Sequence, residues 1–500
     1  MFTILGGPVL LAVLLGLILY HRSCPSKLPP GPPPLSIIGN LHQLPKVKYW
    51  TKLREWHQEY GPIITVHFGQ RKMIILGSQK IAQDLLGKRS EIYSARPDFL
   101  GEHASNDLHT AFLTSGPTWK AHRAIQSIFL NPRINQSYRL LQDLESKQIL
   151  YELLSANDFH GSLHRFTHSV TYTLAYGRRL PLMGASEIQE MDAIAETVAS
   201  SASTLKAFFP VLESLLCWMK FESQATKILK RRQKKFFSEN MRIGLESKPW
   251  CWAKCVQQAN KDHGMDLTNL SYVVGVAYEA SIHTTAIALE YFIMACVLYP
   301  TTVKRAQEEL DLVIAARMPT FDDISNLPYV NAFVNEVLRW RPPLPLGLHH
   351  EVSQDDPYQN FFIPAGTTIV ASEWSMAMDE GVFGQSSEFI PERWIQNPKL
   401  RQIGFGFGKR TCPGKHLACN SLFIVISRLL WGYQFDHAYE NGRKIEIDPM
   451  NMKSGIAAEP FPFRATVSVR SKHRKVIEEE WAAAEKDSDV LLDAIRSMQE

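Results

Sequence analysis

The sequence predicts a mainly α-helical chain with small β-sheets (α+β). Apolar residues recur at helical spacing through long stretches, 140–154, 223–245, Leu267–Leu298, 303–314 and 329–340. Strand-like runs are few and short, and no β-α alternation follows them, so a parallel doubly wound sheet is excluded. With 45% apolar and 21% charged residues among 500, the chain can bury a large core and is not disordered.

The first segment, residues 1–20, reads as a transmembrane anchor. It is uncharged and rich in Leu, Val and Ile, about the length needed to cross a bilayer core. His21, Arg22 and Lys27 follow it and nothing basic precedes it, which places the remaining chain on the cytoplasmic side. A cleaved signal peptide is the rival, but a basic n-region and a small-x-small cleavage site are missing. Residues 21–45 form a proline-rich hinge around Leu28-Pro-Pro-Gly-Pro-Pro-Pro34, stiff and extended. Residues 46–470 contain no second linker or repeat and read as one domain.

Within that domain, Ile63–Phe68 and 72–76 are β-rich runs around Gly69, as in a hairpin. Residues 361–370 read as a turn flanked by strands, and 417–430 as a helix. Residues 471–500 change composition and form a polar, helix-favouring tail, with Leu491, Ile495 and Met498 on one face. A solvated helix is the expectation there.

Net charge of +4 is too small and dispersed for nucleic acid. The seven cysteines lack a disulfide framework, as expected in a reducing compartment. The sequons at Asn135 and Asn269 would then stay unglycosylated. Cys251 and Cys255 stand four apart with no second ligand pair, so a zinc site is not expected.

The chemistry concentrates in Phe405-Gly-Phe-Gly-Lys-Arg-Thr-Cys-Pro-Gly414. One cysteine, Cys412, sits in a glycine-rich loop ahead of a helix, where its thiolate can bind a metal from one side. Glycines let backbone and cofactor approach closely. A helix N-terminus behind Cys412 favours its anionic form, and Arg410 can pair with an anionic cofactor edge.

Phe405, Gly408, Arg410, Cys412 and Gly414 match every fixed position of F-x-x-G-x-R-x-C-x-G, and here the chain resembles the cytochrome P-450 family. The resemblance runs from the anchor to about residue 470. It implies haem b bound through Cys412 as axial iron ligand, the thiolate pushing electron density that favours O–O cleavage in this family. Glu336-Val-Leu-Arg339 matches the family's E-x-x-R, and Arg393 in Pro391-Glu-Arg-Trp394 joins that pair in a structural network. Trp119 and Arg123 match W-x-x-x-R, which holds a haem propionate; His350 and Arg410 stand where propionate contacts are found.

The oxygen-handling helix departs from type. The family pattern (A/G)-G-x-(D/E)-T-(T/S) aligns with Ala280-Ser-Ile-His-Thr-Thr285. Thr284 falls on the oxygen-handling hydroxyl, Ser281 replaces glycine, and His283 replaces the proton-delivering acid. His283 either relays protons or only hydrogen-bonds a neighbour. Altered proton delivery would favour ring closure, coupling or rearrangement over hydroxylation.

By resemblance, substrate contacts come from 97–117, 205–219, the helix before Ala280, 344–348 and 456–463, with Phe208, Phe209, Phe461 and Phe463 suggesting an apolar pocket. The resemblance implies a membrane-bound monooxygenase of the endoplasmic reticulum, most similar to fungal members of secondary metabolism. It would use O2 and electrons from an NADPH-cytochrome P-450 reductase, which Lys409 and Lys415 could meet. The alternatives are a haem-thiolate isomerase or lyase acting without O2, and a non-catalytic haem sensor.

Overall fold

The structure is a computed structural model that describes residues 28–97, 108–201 and 224–500. The expected anchor at 1–20, the whole 205–219 segment with Phe208 and Phe209, and residues 98–107 of the 97–117 segment lie outside the described residues.

Helix α1 (Trp50–Tyr60) leads into the hairpin of β1 (Ile63–Phe68) and β2 (Arg71–Leu76). Helices α2 (Pro117–Leu130), α3 (Arg139–Glu152), α4 (Phe159–Tyr176), α5 (Ser186–Ser201), α6 (Gln224–Glu246) and α7 (Trp252–Ala259) follow. The long α8 (Leu267–Leu298), α9 (Pro300–Val313) and α10 (Pro328–Trp340) complete the central set. Proline opens α2, α9 and α10, where its fixed φ suits the first turn and its missing N–H costs nothing.

The remaining strands are short: β3 (His350–Glu351), β4 (Asp356–Tyr358), β5 (Phe361–Ile363) and β6 (Thr368–Ala371). They form a four-stranded sheet in the order β1-β2-β6-β3 and a separate β4-β5 ribbon. Strand β6 pairs parallel to β2, and the other sheet neighbours are antiparallel. Helix α11 (Lys415–Gly432) runs into β7 (Tyr433–His437), followed by the minimal ribbon β8 (Tyr439–Glu440) and β9 (Arg443–Lys444). Strand β10 (Ala465–Val469) returns beside β7.

Helix α8 is the axis of the molecule. It packs on α4, α6 and α11, and most of its side chains are buried. It is also long and apolar enough to cross a membrane, but 78% of its apolar window lies inside the protein, as expected of a core helix. Apolar burial of this kind stabilises by about 25 cal/mol per Å2. Glu336 and Arg339, both fully buried, tie α10 to the segment after β6.

The tail is not a solvated helix. Helices α12 (Arg474–Ala483) and α13 (Ser488–Ser497) bury Ile477, Leu492 and Ile495 against α3 and the core. Trp481 stacks on Tyr151 at 5.6 Å, and Lys147 pairs with Glu480 at 3.0 Å. Apolar spacing in the tail therefore marks a docking face. Met498, expected on that face, is instead exposed.

Candidate active site

Cys412 is held by a loop that only glycine can follow at certain points. Gly408 has φ +53°, and a Cβ there would meet the Leu86 carbonyl oxygen at 2.3 Å. The Cys412 amide donates to the Phe405 carbonyl at 2.8 Å, fixing the sulfur between the loop and the start of α11. Its thiol is raised above the ordinary range by burial, while the Gly414 amide, Arg123 and Lys415 pull it back down. Burial therefore outweighs the three lowering contributions.

Around this loop lie three guanidiniums that the fold brings together. Arg410 donates to the carbonyls of Ser94 and Leu113, each at 2.8 Å, and lies over the Trp119 ring at 4.1 Å. Its Nη1 is buried and has no hydrogen-bond partner among the described residues. Arg123, on α2, donates to the Thr411 carbonyl at 3.0 Å. Arg96 donates to the carbonyls of Ala111 and Leu348, each at 3.0 Å, and to that of His349.

Burial, then the charges of Arg96 and Arg123, lowers the Arg410 guanidinium to about 8. Arg96 is lowered by burial to about 9. None of the three pairs with a carboxylate among the described residues. Buried charges ordinarily are paired, so this cluster is shaped for an anion. His350 completes it: its Nδ1 bonds the Tyr93 carbonyl at 2.8 Å, and burial followed by Arg96 holds it neutral.

Sequence reasoning missed Arg96. Its signal is the short Ser94-Ala-Arg-Pro97 segment, whose meaning depends on contacts far along the chain.

A second surface comes from α8. In the middle of this otherwise buried helix Ala280 is exposed, and Ala277 and Thr284 are partly exposed, one helical turn on either side. The Thr284 hydroxyl donates to the Ala280 carbonyl at 3.0 Å. Glu279, next to Ala280, accepts from Gln233 at 3.0 Å and faces His109 at 3.6 Å. His109 belongs to the same loop whose Ala111 and Leu113 carbonyls bind Arg96 and Arg410. The cation cluster and the Ala280 turn are thus linked through one short segment.

The two residues flanking Ile282 turn elsewhere. Ser281 bonds Thr171 Oγ1 at 2.8 Å, tying α8 to α4. His283 Nε2 lies 3.5 Å from Asp192 of α5, and its ring meets His164 of α4 edge-on at 5.7 Å. Burial lowers His283 to about 4, against the opposing pull of Asp192, so it is neutral at neutral pH.

The supporting network has the connectivity expected for it. Arg339 grips Glu336 through two hydrogen bonds of 2.9 and 2.7 Å, and Arg393 Nε donates to the same carboxylate at 3.1 Å. The Trp394 indole and the Ile390 amide each add a bond of 2.9 Å. Every lone pair of this buried carboxylate is used, which is the condition for such a pair to be tolerated.

Of the loop lysines, Lys409 pairs with Glu91, and Lys415 lies 5.4 Å from the Phe405 ring. Phe463 packs on Phe159 at 5.4 Å as part of the core, whereas Phe461 is exposed. The Cys251 thiol donates to the Gly244 carbonyl at 3.3 Å.

One sulfur, an unpaired cation cluster and an exposed turn of a core helix fit a flat, metal-centred, dianionic group. Haem has that character.

Comparison with known proteins shows the family. The Cytochrome P450 family profile matches residues 29–465. The cytochrome P450 monooxygenase aneD of Aspergillus aculeatus is 43% identical over 498 residues, covering 97% of each chain. FrzL of a Cladobotryum species is 42% identical over 487 residues, 96% of this chain and 95% of its own. The monooxygenase peniB of Penicillium patulum is 40% identical over 502 residues, 98% and 94% of the two chains.

Proposed function

The chain belongs to the cytochrome P450 family, and on that premise we propose how its residues divide the work of a haem-dependent monooxygenase. The cofactor is haem, and the reaction takes O2, an electron donor and an organic substrate. When bound, haem supplies oxygen activation and insertion, with thiolate ligation favouring O–O cleavage.

Cys412 is the iron ligand. Arg96, Arg123, Arg410 and His350 hold the propionates, with Trp119 stacked against Arg410. Thr284 positions a proton at Oγ1: its back-bond to Ala280 fixes the rotamer and leaves the oxygen able to accept. His283, its Nε2 3.5 Å from Asp192 Oδ1, is the proton relay on the side of α8 that faces α4 and α5. Glu336, Arg339 and Arg393 keep the cysteine loop rigid and touch no substrate. Phe405, Gly408 and Gly414 shape the loop.

The substrate is an apolar small molecule, and the setting is the biosynthesis of a fungal secondary metabolite, as the family membership of monooxygenases from Aspergillus, Cladobotryum and Penicillium supports. Residues 1–20 anchor the protein in the endoplasmic reticulum, with an NADPH-cytochrome P-450 reductase as donor on the cytoplasmic side. The isomerase, lyase and sensor alternatives are not favoured, since these relatives are named monooxygenases.

The observation that carries this division of roles is the cluster next to Cys412 of one buried guanidinium, Arg96, and two partly buried ones, Arg123 and Arg410, with no carboxylate partner among the described residues. Microsomal expression with a reductase tests the activity. Product formation should require both NADPH and O2; turnover without either would overturn it.

A further inference from the structure

Helices α4, α5 and α8 meet at a group of side chains that the oxygenase reading uses only in part. His164 and His168 stand one turn apart on α4, with ring centroids 6.1 Å apart. Asp192 reaches them from α5, and its Oδ1 lies 3.1 Å from His168 Nε2. The ligand atoms of these three residues all lie within 4.8 Å of one another. His283 comes from α8, its Nε2 3.5 Å from the same Asp192 oxygen. That nitrogen is buried and makes no hydrogen bond among the described residues.

We propose that His164, His168, Asp192 and His283 form a binding site for a borderline transition-metal dication such as Zn2+. Three imidazoles and one carboxylate are the donor set such ions take in tetrahedral sites. The site is separate from Cys412.

Four ligands on three helices suit a structural clamp. A metal here would pin α5 to the α4–α8 pair, one residue along the chain from Thr284. The spacing in the structure is wider than a loaded site, so the side chains must draw in around the ion. Helix α4 supplies a rigid i, i+4 pair for this, and Asp192 is about one-third exposed, which leaves an entry path.

Outer-shell support is present. His168 Nδ1 lies 2.7 Å from Tyr278 Oη. With no metal, the hydroxyl donates to Nδ1 and Nε2–H donates to Asp192. On binding, His168 shifts to the tautomer with hydrogen on Nδ1, which donates to Tyr278 and presents the Nε2 lone pair. Ring orientation fixed in this way is typical of metal-ligating histidine. His283 cannot be ligand and proton relay at once, so the relay belongs to the metal-free protein.

The test is Zn2+ titration of the untagged, haem-loaded protein by calorimetry, with bound metal counted by mass spectrometry. One tight equivalent is expected. His164→Ala should weaken it by at least ~100-fold, and Tyr278→Phe by about 10-fold, with the reduced carbon monoxide spectrum unchanged in both. That spectrum separates failure of this site from failure of the haem assignment. No stoichiometric binding by the folded wild-type protein, or equal binding by wild type and His164→Ala, would overturn the proposal.

Discussion

The guanidinium of Arg410 lies over the indole of Trp119, its central carbon 4.1 Å from the ring centroid. The stack joins the cysteine loop to α2 across 291 positions of sequence. In this position its Nη1 is buried and has no hydrogen-bond partner among the described residues. Cation–π contacts of this kind are worth about 0.5–2 kcal/mol, enough to hold a long side chain in one orientation.

Arg96 is expected to matter as much as Arg410. Arg96→Leu should lower haem retention by roughly 10–100-fold, the loss of a hydrogen bond to a charged group. Haem content per folded protein, followed through gel filtration, measures it. Full retention would remove Arg96 from the propionate set. Arg96→Lys should restore charge without the three-carbonyl geometry, and so recover only part of the retention.

Breaking the Glu336 network should act on stability. Glu336→Gln leaves Arg339 and Arg393 buried without their carboxylate, at a cost of about 3–5 kcal/mol. Thermal unfolding of the expressed protein should report a large drop and little haem incorporation. Wild-type stability would show that the fork is dispensable.

Thr284→Ala should keep haem and substrate binding while product formation falls by ~100-fold and hydrogen peroxide release rises. Tight coupling in this variant would contradict the role of its hydroxyl. His283→Asp tests the departure from the family pattern. If product yield and peroxide release both stay constant, the side chain is not a relay.

Glu373 gives a pH dependence. Burial raises its carboxyl to about 7, against the lowering effect of the Gly404 amide. A raised folded-state value means the native state holds the proton more tightly than the unfolded chain. The stabilising contribution is therefore full below the unfolded value near 4.5 and is lost as pH rises through about 7. Above that the charged form costs up to roughly 3 kcal/mol. Glu373→Gln should raise the melting temperature relative to wild type at pH 8, above the window, and by much less at pH 5, near its lower end.

The parts of the site that were legible in the sequence are those whose meaning is local. The Cys412 loop, the Glu336–Arg339 pair and the Trp119–Arg123 turn each fit within one element, so spacing alone places their side chains together. Helix α8 was legible to its ends because it is apolar on nearly every face. Arg96 was not, because its role arises where three distant segments converge. Helix α4 was missed for another reason: its buried face includes Ser162, Thr167, His168, Ser169, Thr171 and Thr173, which interrupts the apolar period. The tail was read as solvated because its charges dominate, although Ile477, Leu492 and Ile495 carry its docking face.

The most direct measurement is the absorption spectrum of the purified, folded protein after reduction by dithionite and addition of carbon monoxide. Ligation by Cys412 predicts the strongly red-shifted Soret band of a thiolate-bound haem, lost in Cys412→Ser. A folded protein without that band, or a Cys412→Ser variant that retains it, would contradict the assignment.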